Sequence, residues 1–326
     1  MTKSKTELAW EKLFQELNID SDVEKNGVFH LTADQIKEIG GREPRLMTKF
    51  DNRRQLPKIL QEKNLAILPD TRGTYLVGKF KAYQDYDHDE IQPIVKQLPD
   101  YIKSINIKEI TSEPVALNMA KASGMIDDVM NFDSINSENN GESYLTLSGR
   151  MGSGYFDYDI EIGQGNNQKI TVRNSQIEVD STYENMNRIA IFEAKTLMPK
   201  NFMVRQLYYP YRTYQGLGIK KPIIPVFFTY VDETFSFNIY EFENDNVYSS
   251  IRKVKQMDFV LDEEREITLA EIKNILLSSK IKFEEVPFPQ ANSFSRLLDI
   301  LHKLKDPMTK DEISEAYGFD IRQSDY

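Results

Sequence analysis

Two side chains of opposite charge lie two positions apart in an apolar segment of this sequence. Glu193 and Lys195 fall within NRIAIFEAKTLMPKN, residues 187–201, whose first half has the apolar character of a buried β-strand. Side chains at positions i and i+2 of a strand point to the same face of the sheet, so the carboxylate and the ammonium lie side by side. Because burying unpaired charges is costly, this arrangement predicts a metal ion or a charged substrate beside them.

A second carboxylate precedes this segment. Asp180 ends SQIEVD, thirteen residues before Glu193, and the turn-like STYENMNR separates the two stretches. The pattern predicts an antiparallel hairpin that brings Asp180 next to Glu193 and Lys195. Two carboxylates suit Mg²⁺, which prefers oxygen ligands and keeps several of its waters. The metal would stabilise a phosphoryl group under attack, and a neighbouring lysine would orient or deprotonate the attacking water. The predicted chemistry is metal-assisted hydrolysis of a phosphate ester.

The segment that follows is basic, although the chain as a whole carries a net charge of −10. No Asp or Glu occurs from Ala194 to Val231, whereas six basic residues do: Lys195, Lys200, Arg205, Arg212, Lys220 and Lys221. A local basic field on an acidic body attracts phosphate groups. The exclusion of acids from apolar strands explains the same composition equally well. For the E-x-K pattern of Glu193 and Lys195, the ordinary alternative is a solvated Glu–Lys ion pair.

The combination resembles the PD-(D/E)XK superfamily of nucleases, and particularly its type II restriction endonucleases. The resemblance covers about residues 112–242 and consists of Asp180, the E-A-K triplet 193–195 on an apolar strand, and a helix beginning near Asn201. The sequence departs from the literal motif at Val179, where the superfamily name implies proline.

The resemblance implies a role for each matching residue. Asp180 and Glu193 would hold Mg²⁺, with Mn²⁺ as a substitute, and Glu178 would be an additional ligand because it shares the strand face of Asp180. Lys195 would position the attacking water. Gln206, in the helix that follows, would complete the catalytic set by a hydrogen bond to Lys195 or to a phosphate.

Two further segments are candidate DNA contacts. Arg205, Tyr209 and Arg212 share one helix face, which we expect to lie along a phosphate backbone, whereas neighbouring Tyr208 and Tyr211 are expected in the core. The stretch SGRMGSG, residues 148–154, places Arg150 and Ser153 among glycines, where the backbone can approach DNA and arginine can read guanine. A glycine-rich hairpin turn accounts for these letters almost as well.

The N-terminal third predicts helices followed by a β-hairpin over LAILPDTRGTYLVGKF, with its turn at Thr71–Gly73. This helix-plus-wing layout would contact DNA through its basic surface residues Arg42, Arg45, Lys49, Arg53, Arg54 and Arg72. An ordinary solvated α+β domain remains the alternative.

The predicted fold is α/β (α+β), with a restriction-endonuclease-like mixed central sheet flanked by helices. Three domains are expected: an N-terminal helix/wing-like domain at 1–110, a nuclease core at 111–245 and a helical C-terminal region at 246–326. Helices are predicted over 5–20, after Thr32 with a stop at Gly40, and over 112–130, while 243–290 reads as helical or irregular. The last helices, with a capping box at Thr309 and Glu312, resemble a truncated winged-helix module.

Composition excludes several other functions. The sequence has no cysteine and only three histidines, so thiol chemistry, disulfides and histidine metal cages are disfavoured. No apolar run reaches the length of a membrane span, and no signal-peptide core precedes the first helix, so a cytoplasmic protein without membrane contact is expected. The phosphate-binding loop of ATP-driven enzymes is absent from the sequence, which predicts no use of ATP.

The leading hypothesis is a Mg²⁺-dependent type II restriction endonuclease that cuts double-stranded DNA at a short sequence. A homodimer is expected, since two active sites cut two strands and a palindromic site mirrors a two-fold axis. One alternative is a repair or recombination nuclease with the same core. Another is a non-catalytic DNA-binding regulator, for which Lys195 would be dispensable.

Overall fold

A computed structural model describes residues 3–105, 110–133, 141–163 and 165–261, together with the isolated positions 273 and 277. The expected C-terminal helices, including the capping box at Thr309 and Glu312, lie outside the described residues. The described part is a mixed α and β structure built around a seven-stranded sheet. No helix in it is long and apolar enough to cross a membrane.

The N-terminal unit, residues 3–80, combines short helices with a three-stranded sheet. Its elements are α1 (Lys5–Glu16), α2 (Ile19–Asn26), β1 (Val28–Thr32), α3 (Ala33–Glu38), α4 (Pro44–Thr48), α5 (Lys58–Glu62), β2 (Ala66–Pro69) and β3 (Thr74–Gly78). The predicted hairpin is confirmed as the antiparallel pair β2–β3. Strand β1, which was not predicted, pairs with β3 on its other side. Thr32 caps α3 as expected, because its side chain accepts a hydrogen bond from the Gln35 amide.

The remaining strands form the central sheet and two small pairs. They are β4 (Tyr83–Asp85), β5 (Ile94–Lys96), β6 (Tyr144–Gly152), β7 (Tyr155–Gly163), β8 (Asn166–Arg173), β9 (Gln176–Glu184), β10 (Ile189–Lys195), β11 (Asn201–Met203), β12 (Ile223–Val231), β13 (Thr234–Phe242) and β14 (Ile251–Leu261). The central sheet has the order β5-β14-β13-β12-β10-β9-β6. Strand β10 runs parallel to β12, and β14 runs parallel to β5.

Helices cover both faces of the central sheet. Helices α6 (Glu113–Ala122) and α7 (Met125–Met130) pack in one apolar cluster with sheet residues such as Phe192 and Phe228. Helix α8 (Arg205–Gly216) and the N-terminal unit share a second cluster with the opposite face. Because these clusters bury the two faces, the polar groups of the site can gather only where strands end.

Several predicted elements differ from the structure. The single helix over 112–130 is wrong, because Gly124 adopts a left-handed backbone with φ of 77° and separates α6 from α7. Strands β7 and β8 pair only with each other and stay outside the central sheet. The segment expected to be helical or irregular from 243 contains β14, which pairs with β13 over its length.

The helix predicted to begin near Asn201 begins later, at Arg205. Residues Asn201–Met203 form β11 instead, which pairs with β4. Helix α8 then continues through Pro210. Tyr208 and Tyr211 are buried, as predicted, and Tyr208 packs edge-on against Tyr158 and Phe242.

Candidate active site

The predicted hairpin is formed by β9 and β10, and it brings Asp180 to the strand of Glu193. The last paired residues of this ladder are Ser181 and Phe192, so Asp180 and Glu193 follow immediately beyond it. The Asp180 carboxylate accepts a hydrogen bond of 2.7 Å from the backbone amide of Ala194. Burial raises the pKa of Asp180, against the opposing charge of Lys195 and the bond from Ala194.

Glu193 and Lys195 are in contact on one face of β10. The Lys195 ammonium lies 2.5 Å from Oε1 of Glu193. Gln206, at the start of α8, donates a second hydrogen bond to the same oxygen. Glu193 is only 5% exposed, although it carries an acidic side chain. The structure thus brings together all four predicted catalytic residues: Asp180, Glu193, Lys195 and Gln206.

Two further carboxylates reach this site from distant parts of the chain. Glu113 is the first residue of α6, and Asp51 lies in the loop after α4. Burial raises the pKa of Glu113; the charge of Lys195 opposes this rise, and those of Asp180 and Asp51 add to it. Sequence reasoning missed both residues, because neither stands in a motif and only the fold places them near Lys195.

The site holds more negative than positive charge. Burial raises the pKa of Glu193 to about 8, because the ion pair with Lys195 offsets only part of the lost hydration. Burial acts to lower the pKa of Lys195, but the charges of the surrounding carboxylates outweigh it and hold that pKa above its usual value. Four carboxylates therefore lie near one buried ammonium, so the acidic groups of this site outnumber its basic groups.

The donor set fits a hard divalent cation of the kind that prefers oxygen. Two oxygens here, Oδ1 of Asp51 and Oε1 of Gln206, are buried and have no hydrogen-bond partner within the described part of the chain. Such oxygens are costly unless a cation or a bound water satisfies them. Across the described residues, however, no three acidic or histidine side chains lie close enough together to ligate one ion directly.

Glu178, the predicted additional metal ligand, forms ion pairs with two basic side chains. Its carboxylate lies 3.5 Å from the ammonium of Lys49 and 3.8 Å from Nε of Arg150. Its side chain is about half exposed, at 48%. The three residues form a surface ion-pair cluster at the edge of the site and join the N-terminal unit to β9 and β6.

The candidate DNA-contacting face of α8 is largely internal. Tyr209 is fully buried, and its hydroxyl donates to the backbone carbonyl of Pro69, so its expected exposure beside Arg205 and Arg212 is wrong. Arg212 donates through Nη1 to the hydroxyl of Tyr208 and to the carbonyls of Asp157 and Asp245, at 2.8–3.1 Å. Its guanidinium thus holds α8 against neighbouring segments.

The glycine-rich stretch also divides into a buried and an exposed part. Ser153 is 1% exposed and donates to the carbonyl of Gly154, so the structure contradicts its predicted DNA contact. It lies in the tight turn between β6 and β7, where Gly154 has a left-handed backbone. Arg150 remains exposed on β6.

The basic residues of the N-terminal unit have different environments. Arg53 pairs with Asp85 and donates to the carbonyl of Tyr83, so it fastens the unit to β4. The Nε atom of Arg42 is buried without a hydrogen-bond partner in the described structure. Arg45, Arg54 and Arg72 are exposed, as are Arg53 and the side chain of Lys49.

Comparison with known families divides the chain near the end of β3. A family model described as "Domain of unknown function (DUF6997)" matches residues 78–260, which is more than half of the chain. The protein belongs to this family. A second model, "Domain of unknown function (DUF6996)", matches residues 7–77. In this member of the DUF6997 family, Asp51 falls in the second match, whereas Glu113, Asp180, Glu193, Lys195 and Gln206 fall in the first.

Searches of curated proteins and of solved structures gave no match for this DUF6997 chain.

Proposed function

We propose that this protein is a metal-dependent endonuclease of the PD-(D/E)XK type that hydrolyses phosphodiester bonds in double-stranded DNA. The observation that carries the proposal is the convergence at one strand end of Asp180, Glu193, Lys195 and Gln206. Supporting it, the central sheet is mixed and has helices on both faces, as expected for a restriction-endonuclease-like fold.

Asp180 and Glu193 would hold the divalent cation, and Mn²⁺ would substitute for Mg²⁺. When bound, the cation would stabilise negative charge on the phosphate and acidify a coordinated water. The backbone amide of Ala194 fixes one oxygen of Asp180, leaving the other oxygen available. Gln206 and Lys195 together fix one oxygen of Glu193 in the same way.

Lys195 would orient the attacking water and offset the charge of the phosphate. Its ammonium is held by Glu193 and stays protonated, since the nearby carboxylates keep its pKa above the usual value. A protonated lysine serves as an electrostatic and hydrogen-bonding group, so it would position the water without removing the proton.

DNA would approach over the basic groups next to the site, of which the Lys49 side chain and Arg150 are exposed and Arg205 is half-buried. Lys49 and Arg150 lie at its edge, and Arg205 opens α8 beside Gln206. Phosphate contacts of this kind position the duplex, whereas base contacts determine the sequence that is read. As a type II restriction endonuclease the protein would act as a homodimer, with one site for each strand.

The test is digestion of plasmid DNA by the full chain with Mg²⁺, with Mn²⁺ and with chelator. Discrete fragments that are lost in Asp180→Asn and in Lys195→Ala support site-specific restriction. Nicking without discrete fragments would indicate the repair or recombination nuclease. Absence of cleavage with either metal on varied duplex and branched DNA would overturn the nuclease proposal.

A further inference from the structure

One segment of the N-terminal unit, residues 49–55, is held tightly against the elements that form the candidate site. The carbonyl of Asp51 accepts a hydrogen bond of 2.9 Å from the amide of Met203, in β11. The hydroxyl of Tyr83 donates to the carbonyl of Phe50 at 3.1 Å. These bonds fix the segment on both β11 and β4.

A further hydrogen bond to β11 and one within the segment add to these restraints. The amide of Arg53 donates to Oδ1 of Asn201 at 2.7 Å, and the amide of Asp51 donates to Oε1 of Gln55 at 2.7 Å. Since four hydrogen bonds restrain its backbone, segment 49–55 has a defined position. The fold therefore holds Asp51 in a fixed position beside the site.

The Asp51 side chain carries a buried oxygen, Oδ1, without a hydrogen-bond partner among the described residues. Its negative charge acts on Glu193, Lys195 and Glu113. A buried carboxylate oxygen without a donor is destabilising, and more so beside other carboxylates. The four hydrogen bonds of segment 49–55 nevertheless hold the Asp51 carboxylate in this position.

A hydrated divalent cation would satisfy such an oxygen. Mg²⁺ keeps several waters when proteins bind it, and those waters are strong hydrogen-bond donors. The carboxylates of the described structure are too dispersed for three of them to ligate one ion directly. Contact through the water ligands of the cation accommodates this spacing. The unpartnered Oε1 of Gln206 offers a second acceptor of the same kind.

We propose that Asp51 belongs to the metal site and accepts hydrogen bonds from the waters of the divalent cation held by Asp180 and Glu193. This inference rests on the proposed function. It means that the two regions matched by separate family models build one site. The N-terminal unit then supplies an acid to the metal site in addition to any DNA contacts that it makes.

Isothermal titration of the full chain with MgCl₂ and with MnCl₂ tests the proposal without DNA. We expect Asp51→Asn to bind either metal about tenfold more weakly than the parent, a loss typical of groups that act through a metal's ligands. Asp51→Glu, which keeps the charge, should recover part of that loss. The matched control is Asp34→Asn, an exposed acid of the same unit in α3, which should leave the affinity unchanged.

Thermal unfolding in chelator separates this role from a structural one. Removing an unpaired charge beside other carboxylates should maintain or raise the metal-free melting temperature of Asp51→Asn. A lower melting temperature with unchanged metal affinity would assign Asp51 to structure and overturn the inference. Asp51→Ser provides the same comparison with a smaller side chain if the asparagine variant folds poorly.

Asp180→Asn distinguishes failure of this inference from failure of the proposed function. If Asp180→Asn loses metal binding while Asp51→Asn and Asp51→Ser retain it, the Asp51 inference fails and the proposed function stands. If the parent chain binds neither Mg²⁺ nor Mn²⁺, both fail together.

Discussion

Gln206 and Lys195 donate hydrogen bonds to the same carboxylate oxygen of Glu193. One donor comes from the first turn of α8 and the other from β10 itself. This shared acceptor fixes the orientation of Glu193, so its second oxygen faces the site in a defined direction. The start of α8 is therefore part of the proposed active site as well as of the scaffold.

Replacing Gln206 by alanine should reduce metal-dependent DNA cleavage about 10- to 100-fold, the range typical of residues that orient a metal ligand. The loss should appear in kcat and in metal affinity more than in DNA affinity. Gln215→Ala, in the last turn of the same helix, is the matched control and should behave as the parent chain does. A Gln206→Ala variant within twofold of the parent rate would show that Glu193 needs no such restraint.

The stability of the metal-free protein should depend on the protonation of Glu193. Its pKa is raised from 4.5 to about 8 in the folded chain, chiefly by burial. Between these values the folded state keeps a proton that the unfolded state releases, so the free energy of unfolding falls as the pH rises. Glu193 contributes at most about 1.4 kcal/mol per pH unit to this slope.

Urea unfolding in chelator at several pH values between 5 and 8 measures this slope. Glu193→Gln should flatten it, because the variant has no proton to lose at that position. Added Mg²⁺ should also restore the stability of the parent chain at pH 8. An identical pH profile in Glu193→Gln and the parent would contradict a raised pKa at this residue.

Neutralising Glu178 should strengthen DNA binding. Its carboxylate pairs with Lys49 and Arg150, so Glu178→Gln leaves two cations available for phosphates. We expect affinity in chelator to rise several-fold, and the slope of log affinity against log salt to steepen by about one or two. Glu184→Gln, which breaks the pair with Lys221 at the other end of β9, is the control. Weaker binding by Glu178→Gln would instead favour a direct role in the site.

Substitutions of Arg205 and of Arg212 should affect different properties, although both residues lie on α8: the first DNA binding, the second stability. Arg212→Ala removes donors to Tyr208, Asp157 and Asp245, and should lower the free energy of unfolding by about 2 kcal/mol. Arg205→Ala should weaken DNA binding several-fold at little cost in stability. Urea unfolding and fluorescence anisotropy with labelled duplex DNA measure the two effects. The opposite assignment would show that Arg212, not Arg205, contacts DNA.

Local patterns predicted the β9–β10 hairpin and its acids, because strand alternation and a turn act over a few residues. They could not reveal Asp51 or Glu113, which approach Lys195 only through tertiary packing. The same limit explains β11, since Asn201–Met203 become a strand only by pairing with β4. Tyr209 was misplaced because helical spacing identifies a shared face but does not show that β7 covers it.

The central claim is that this site hydrolyses DNA with a divalent metal, and the rate of cleavage by matched carboxylate variants tests it most directly. The parent chain and Asp100→Asn, which replaces an exposed acid that is not among the candidate site residues, should cut plasmid DNA in Mg²⁺ at equal rates. Asp180→Asn should be slower by about a thousandfold or more, as expected when a group that stabilises the transition state is lost. Equal rates for Asp180→Asn and Asp100→Asn would contradict the account.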